Sequence, residues 1–295
     1  MGCARAAALV ETVTGLVSLP DACIRINEMV EDMSSSAADM ANVLLQDVGM
    51  SARVLKVANS SFYRFPSKID TVSRAITIIG TRELRFLVLA TSAVRSFDGL
   101  PNNLVDMASY WRHSIYCGVV ARILAGHCHV LHKERLFVSG LLHDVGHLVM
   151  YNKIPDLVQV MRHRAATAAI PLEEAERDVF DTDHAQIGAE LLRKWNLPES
   201  LVEVVECHHV PQRAEKFKLE TAIVHIANSM ATLAEKGSVN VEDGPPIDPR
   251  AWEITRLNSG IIEPILQEAR AQFLEALLLF LPGATSAVTQ GARRG

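Results

Sequence analysis

The sequence has few aromatic residues and few glycines, and it lacks long runs of one charge. Aromatic residues make up 5% of the 295 positions, and 16 positions are glycine. Strands favour aromatic and β-branched side chains, whereas helices favour residues such as Leu and Ala. This composition therefore argues against a β-sandwich and for helices. With 49% of residues hydrophobic, the chain can still bury a sizeable core.

Basic residues do not cluster along the chain, which argues against binding to nucleic acid. The formal net charge is −5, and no stripe of Lys and Arg is evident. Nucleic-acid binding depends on such a stripe to neutralise phosphates. The longest apolar run, 273–281, is interrupted by Glu275 and is too short to span a bilayer. We therefore expect neither a nucleic-acid partner nor a membrane span.

Cysteine usage predicts a reducing compartment. The five cysteines form an odd set without a Cys-x-x-Cys pair, and no signal peptide is evident. The N-terminal Met-Gly-Cys has Ala6 where a myristoylation site needs Ser or Thr. We therefore expect reduced thiols that fill the core, and a cytoplasmic location.

Helical periodicity runs through nearly the whole chain and predicts an all-α protein with two helical subdomains. The N-terminal extension is 1–18, and the first subdomain, a bundle of about five helices, is 19–100. The second bundle is 104–233. A proline-rich loop and a C-terminal helical hairpin follow over 237–281, and a small, polar tail over 282–295 is expected to be disordered.

Several helices can be predicted individually from their apolar spacing and end signals. The patterns predict a short helix over 72–79 and long helices over 105–127 and 261–280. A single continuous helix is predicted over 135–151. The clearest loop, at 99–103, contains glycine, proline and two asparagines, and it places the subdomain boundary there.

The histidines are the most informative residues, because all eleven lie between His113 and His225. Histidine is the commonest metal ligand and a common acid–base group near neutral pH. The adjacent pair His143-Asp144 lies in an apolar stretch, where it is costly to bury without partners. An imidazole and a carboxylate can share one cation. His225 is expected in or near the core, and four others are expected on the surface: His127, His129, His132 and His163.

Several motifs resemble the HDOD family, the HD-related output domains, which are relatives of the HD metal-dependent phosphohydrolases. The resemblance covers 19–233, most of the chain, and implies an HD-like second bundle. It rests on these stretches: LKVANS at 55–60, AITIIG at 75–80, GLLHDVG at 140–146, HAQIGAELL at 184–192, WNLP at 195–198, and His208-His209.

The resemblance also implies a set of metal ligands with departures from the catalytic pattern. Asn228 stands where catalytic relatives have Asp, so a neutral amide replaces an anion. His147 stands where the phosphodiesterase relatives have a phosphate-contacting lysine. If the chain is an enzyme, Asp144 and His147 carry its chemistry. Otherwise we expect His147 to be a partly exposed helix residue, with a residue that supports a ligand and an alternative ligand as the other interpretations. The ligand positions are His113, His143, Asp144, His184, His208, His209 and Asn228.

Three functional hypotheses follow from the resemblance. The first is a catalytically inactive bacterial signalling output or adaptor module in two-component or cyclic-dinucleotide pathways. Such a module requires no cofactor and acts through a sensor kinase, a receiver or a cyclic-dinucleotide enzyme. The alternative is a phosphohydrolase that acts on a nucleotide or cyclic dinucleotide and requires a divalent metal such as Fe, Mn, Zn or Mg. The third is a module that senses a phosphorylated ligand without cleaving it.

Overall fold

The computed structural model contains only helices as regular secondary structure within the stretches that it describes. This confirms the all-α prediction. The predicted loop at 99–103 and the predicted tail at 282–295 lie outside the described residues. The described stretches are 2–13, 18–60, 68–97 and 104–281.

The helices are numbered here in chain order. The first half contains α1 (Gly2–Glu11), α2 (Asp21–Glu31), α3 (Ala37–Gln46), α4 (Val48–Ala58), α5 (Val72–Ile79) and α6 (Thr81–Ser96). The second half contains α7 (Met107–His127), α8 (Lys133–Leu142), α9 (Val145–Lys153), α10 (Pro155–Ala168), α11 (Leu172–Phe180), α12 (His184–Lys194), α13 (Glu199–Cys207), α14 (Lys218–Glu235), α15 (Pro249–Thr255) and α16 (Ile262–Phe280).

The end signals of α5 show why the sequence predicted this helix correctly. The Thr71 side chain accepts a hydrogen bond from the backbone N–H of Arg74, which satisfies one donor of the first turn. Gly80 ends the helix with a φ of 91°, a conformation that glycine adopts without steric cost. The predicted helix over 72–79 is therefore confirmed.

Helix α6 is the centre of the first half of the chain. Its eleven residues from Leu84 to Val94 are all buried, and α2, α4 and α5 pack against it. A helix that is buried all round lies inside a core rather than on a surface. Helix α6 also packs against α8, so it joins the first half to the second.

Helix α7 is the centre of the second half of the chain. Helices α8, α14 and α16 pack against it, and the ring of Tyr116 lies 4.9 Å from that of Phe273 on α16. Helix α1 packs against α12 and α9. None of the helices within the described stretches is both long enough and apolar enough to cross a membrane.

The prediction of one continuous helix over 135–151 is wrong. Helix α8 ends at Leu142 and α9 begins at Val145, so His143 and Asp144 form the turn between them. Asp144 has φ −99° and ψ 7°, which leaves the helical region and redirects the chain. The apolar periodicity continues across the turn because both helices are buried. The turn places both side chains where several helix ends meet.

Two close helix crossings at glycines bring the functional residues together. A Cβ on Gly140 of α8 would lie 2.7 Å from the Cα of Gly118 on α7. A Cβ on Gly146 of α9 would lie 1.9 Å from the carbonyl oxygen of His184 on α12. Only glycine permits backbones to approach this closely. The second crossing places Asp144 beside His184.

Candidate metal centre

Three histidines surround one carboxylate oxygen in the second half of the chain. Asp144 Oδ1 lies 3.3 Å from His143 Nε2 and 3.3 Å from His184 Nε2. The Nε2 atom of His208 lies 3.7 Å from the same oxygen. These residues come from the turn before α9, the start of α12 and the end of α13. The structure thus brings together groups that are up to 65 positions apart.

His143 and His208 are oriented in the same way by the backbone. The Nδ1 atom of His143 lies 2.7 Å from the carbonyl oxygen of Gly140, and that of His208 lies 2.7 Å from the carbonyl oxygen of Val205. A carbonyl oxygen only accepts hydrogen bonds, so each Nδ1 carries the proton. Each Nε2 therefore keeps a lone pair directed at Asp144.

This arrangement fits a bound cation. Both side chains, His143 and His208, are fully buried, and neither Nε2 atom has a hydrogen-bond partner among the described residues. Buried acceptors that face a carboxylate oxygen without a donor are unfavourable unless a cation lies between them. Ligand atoms held about 2.0–2.2 Å from one metal lie roughly 3–3.5 Å apart. A divalent cation held here would supply Lewis-acid chemistry.

The protonation states of His143, His208 and Asp144 also suit metal binding. Burial lowers the pKa of His143 to about 4 and holds the pKa of His208 well below its ordinary value. Burial acts to raise the pKa of Asp144, but the surrounding histidines outweigh it and hold that pKa well below its usual range. Neutral imidazoles and an ionised carboxylate are the forms that bind a metal. Burial acts to lower the pKa of His184, but Glu176 and Asp144 outweigh it and hold that pKa well above its ordinary value, so His184 loses a proton when a metal binds.

His209 extends the cluster towards the rim. Its Nε2 atom lies 2.8 Å from His184 Nε2, and its Nδ1 atom lies 3.7 Å from Glu173 Oε1. Ligand atoms of Asp144, His184, His208 and His209 all lie within 4.8 Å of one another. These four residues can therefore hold one metal ion.

His113 lies beside the cluster, with both of its ring nitrogens bonded to α14. Its Nε2 donates to Asn228 Oδ1 at 3.0 Å, and its Nδ1 donates to Glu235 Oε1 at 3.1 Å. Burial lowers the pKa of His113, but the bond to Glu235 and the charge of Asp144 outweigh it and raise that pKa. The ring is 5.4 Å from that of His143. Asn228, which stands where catalytic relatives have Asp, is thus hydrogen-bonded to His113.

The expectation that His147 is partly exposed is wrong. The residue is buried, its Nε2 donates to Glu176 Oε1 at 2.8 Å, and its ring stacks on that of His184 at 3.7 Å. Its Nδ1 lies 3.9 Å from Asp144 Oδ2. Glu176 reaches His147 from α11, a partner that the local sequence around His147 does not indicate.

Glu176 is a site residue that the sequence reasoning missed. It is 1% exposed, and its carboxylate accepts from His184 Nδ1 at 2.6 Å and from the His184 backbone N–H at 2.9 Å. A signal was present, because Glu176 lies on the face of α11 that also carries Leu172, Ala175 and Val179. A carboxylate among apolar residues at helical spacing needs a buried partner.

The remaining histidines are placed as predicted. His225 is buried, donates from Nδ1 to the carbonyl oxygen of His208 at 2.7 Å, and accepts from the backbone N–H of Asp248. It therefore supports the backbone of a cluster residue. The four histidines predicted on the surface are all exposed: His127, His129, His132 and His163.

Carboxylates dominate the charge around the cluster. Asp144 lies at its centre, Glu176 lies behind it, and Glu173 and Glu235 contact histidines at its rim. Among the described residues, no lysine or arginine forms a hydrogen bond or an ion pair with Asp144 or with the histidines around it. The charge of the site therefore suits a cation.

The sequence matches a known protein family and a known protein. A sequence model of the HDOD domain matches residues 16–211, well over half of the chain. A protein of Treponema pallidum (strain Nichols), described only as uncharacterized, is 26% identical over 227 residues. The alignment covers 76% of this chain and 43% of that protein, so the chain spans less than half the length of this relative.

Several solved structures share the fold. An HDOD domain protein of unknown function from Geobacter sulfurreducens has a TM-score of 0.73 at 24% identity, with 93% of this chain and 98% of that chain covered. A provisionally named phosphohydrolase from Shewanella amazonensis SB2B has a TM-score of 0.72 at 23% identity, with 92% of this chain and 98% of that chain covered. A provisionally named signal transduction protein from Marinobacter aquaeolei VT8 has a TM-score of 0.68 at 19% identity, with 94% of this chain and 64% of that chain covered. At these identities the likeness shows the fold alone.

Proposed function

The chain belongs to the HDOD domain family, and on that premise we propose that it is a signalling output or adaptor module that acts through protein partners without turning over a substrate. The partners would be a sensor kinase, a receiver or a cyclic-dinucleotide enzyme. Proteins of this fold carry both phosphohydrolase and signal-transduction names. The fold therefore does not identify the function, which has to be inferred from the chemistry of the site.

The observation that carries this proposal is the charge of the site. Four carboxylates lie in or around the cluster, and among the described residues none of them forms a hydrogen bond or ion pair with a lysine or arginine, although Arg177 acts on Glu173 through its charge. These carboxylates are Asp144, Glu173, Glu176 and Glu235. Phosphate esters are anions, and enzymes that cleave them supply cationic groups for the developing charge. A bound metal would be largely neutralised by its own surroundings, which disfavours phosphate binding.

The hydrogen bonds of His147 and His113 support the same conclusion. His147 occupies the position of the phosphate-contacting lysine of the phosphodiesterase relatives, but its Nε2 is bonded to Glu176. His113 has both nitrogens bonded to side chains of α14. His113 therefore has no free ring nitrogen for a substrate, and the Nε2 of His147 is occupied by Glu176.

In this proposal the metal stabilises the bundle and does not react. The donor set around Asp144 is rich in imidazole, which suits zinc or iron better than magnesium. The ligands come from the turn before α9, from α12 and from α13. One ion would therefore cross-link three separate helix ends, as structural metal sites do.

Exposed apolar residues on two faces support a role in protein contact. In the first half of the chain, Leu45 and Val48 are exposed at the junction of α3 and α4. On α16, Leu274 and Leu278 are exposed one helical turn apart. Exposed apolar groups that are close together mark contact surfaces on soluble domains.

Surface substitutions test the proposal against purified sensor kinases, receivers and cyclic-dinucleotide enzymes. We expect one of the double variants Leu45→Glu/Val48→Glu and Leu274→Glu/Leu278→Glu to abolish binding measured by biolayer interferometry. A control on α10, His163→Glu/Thr167→Glu, should bind normally, since it adds the same charge at two exposed positions that are not apolar. The His143→Ala/Asp144→Ala variant should also bind if it is still folded by circular dichroism. Normal binding by both surface variants would reject the two surfaces.

A metal-dependent phosphohydrolase acting on a nucleotide or cyclic dinucleotide is the second candidate. The observation that favours it is that His143 and His208 each have a free lone pair that faces an ionised Asp144, as metal binding requires. The test is a hydrolysis screen of Mn²⁺-, Fe²⁺- and Zn²⁺-loaded protein with nucleotides and cyclic dinucleotides. Turnover that disappears in Asp144→Ala would replace the adaptor proposal.

A further inference from the structure

We propose that Glu176 is the positioning residue that makes His184 a metal ligand, and that His147 holds Glu176 in place for this task. The proposal rests on the metal site described above, but not on the adaptor role. It assigns a structural reason to two residues that would otherwise be an unexplained buried pair on α9 and α11.

His184 needs a different anchor from the other two histidines around Asp144. His143 and His208 each follow the last residue of a helix, so each finds a carbonyl oxygen three residues earlier. His184 is the first residue of α12, where no such carbonyl is available within the helix. An acceptor for its Nδ1–H must come from another element.

Glu176 supplies that acceptor from α11. Its Oε2 accepts from His184 Nδ1 at 2.6 Å and from the His184 backbone N–H at 2.9 Å. One oxygen therefore ties down both the ring and the backbone of His184. Because Glu176 holds the proton on Nδ1, the nitrogen that loses its proton to bind a metal is Nε2, which lies 3.3 Å from Asp144 Oδ1. A carboxylate behind a histidine also strengthens it as a metal ligand.

His147 fixes the orientation of the carboxylate. It donates from Nε2 to Oε1 of Glu176 at 2.8 Å, so each carboxylate oxygen has its own imidazole donor. The ring of His147 stacks on two others, with centroids 3.7 Å from that of His184 and 5.6 Å from that of Tyr151. The hydroxyl of Tyr151 accepts from Arg162 at 3.2 Å. His147 therefore cannot turn away without breaking these contacts.

The test measures metal affinity and not turnover. Zn²⁺ and Co²⁺ are titrated into the full chain in competition with a chromophoric chelator. Glu176→Gln should weaken binding roughly 10- to 100-fold, because an amide cannot accept from both histidines. It should also change the visible d–d absorption of the Co²⁺ form. The control is Glu174→Gln, an exposed glutamate on the same helix, for which we expect no change in either readout.

A double-mutant cycle shows whether Glu176 acts through His184. In a His184→Ala background, Glu176→Gln should cost less than about 3-fold further in affinity, since the ligand that it orients is gone. An equal loss in both backgrounds would mean that Glu176 supports the fold in general. Unchanged affinity and an unchanged Co²⁺ spectrum in folded Glu176→Gln would also reject the proposal.

The wild-type protein provides a test that does not depend on the variants folding. In a long-range ¹H–¹⁵N spectrum of the Zn²⁺-loaded chain, His184 should show a protonated Nδ1 and a metal-bound Nε2. A metal-bound Nδ1, or a His184 that does not respond to Zn²⁺, would overturn the assignment. Neither result depends on whether a protein partner exists, so the adaptor proposal is tested separately.

Discussion

The rings of His143 and His208 meet edge to face, with centroids 5.1 Å apart and planes at 87°. Each ring is bonded through Nδ1 to a backbone carbonyl oxygen three residues earlier, and each directs its Nε2 at Asp144. The two helix ends are therefore held in one geometry by local bonds, before any metal is present. The buried lone pairs that result are the reason to expect a strong response to metal.

Metal should raise the stability of the folded chain through this pair. At a free metal concentration of 100 times the Kd, binding to the folded state alone adds about 2.7 kcal/mol to the free energy of unfolding. Thermal unfolding with Zn²⁺ and with a chelator should show this difference in the wild type and none in His143→Ala/His208→Ala. The control is His163→Ala, at an exposed position, which should respond like the wild type. Equal melting temperatures with metal and with chelator in the wild type would contradict the metal site.

Asn228→Asp should increase metal occupancy. Asn228 Oδ1 lies 3.0 Å from His113 Nε2 at the edge of the cluster, so the change adds a negative charge close to the cation. We expect a several-fold gain in affinity, with occupancy after purification measured by elemental analysis. Asn240→Asp adds the same charge in an exposed loop after α14 and serves as the control. Equal or lower occupancy in Asn228→Asp would show that the neutral amide is not what limits binding.

Acid should destabilise the metal-free protein through His143. The folded-state pKa of His143 is about 4, below its ordinary value of 6.5, so between these values the unfolded chain binds a proton that the folded chain does not. The free energy of unfolding therefore falls as the pH falls. Between pH 7 and pH 5, the difference between the wild type and His143→Asn should shift by about 2 kcal/mol in favour of the variant.

Urea unfolding in the presence of a chelator measures this shift. His163→Asn, at an exposed site on α10, controls for the loss of a histidine as such. A difference between the wild type and His143→Asn that stays constant from pH 7 to pH 5 would show that His143 is not held neutral by burial.

Gly146→Ala should destabilise the fold and weaken the site together. The added Cβ would lie 1.9 Å from the carbonyl oxygen of His184 and 2.7 Å from the backbone nitrogen of Gly188, so α9 and α12 would have to separate. We expect a loss of about 3 kcal/mol by urea unfolding, at the upper end for overpacked cores. The control is Gly126→Ala on α7, where the new Cβ meets only the flexible side chain of Lys133. Wild-type stability in Gly146→Ala would contradict the close crossing.

The sequence by itself determined the helices and the family. Apolar spacing and local end signals such as Thr71 and Gly80 act within a few residues, so they are visible in the sequence. The confinement of histidines to 113–225 indicated where a site would form, and the motifs around His143 and His184 identified the family. These features depend on short-range chemistry or on the order of residues along the chain.

Only the tertiary structure decided how the site is built. The break at His143-Asp144, the burial of His147 and the role of Glu176 all depend on helices that are distant in sequence. Glu176 lies 29 residues from His147, and its side chain reaches His147 only after the bundle has packed. Periodicity reports which face of a helix is apolar, but it does not report which helix will cover that face. The partners of a buried polar group are therefore set by packing, where each donor must find its acceptor.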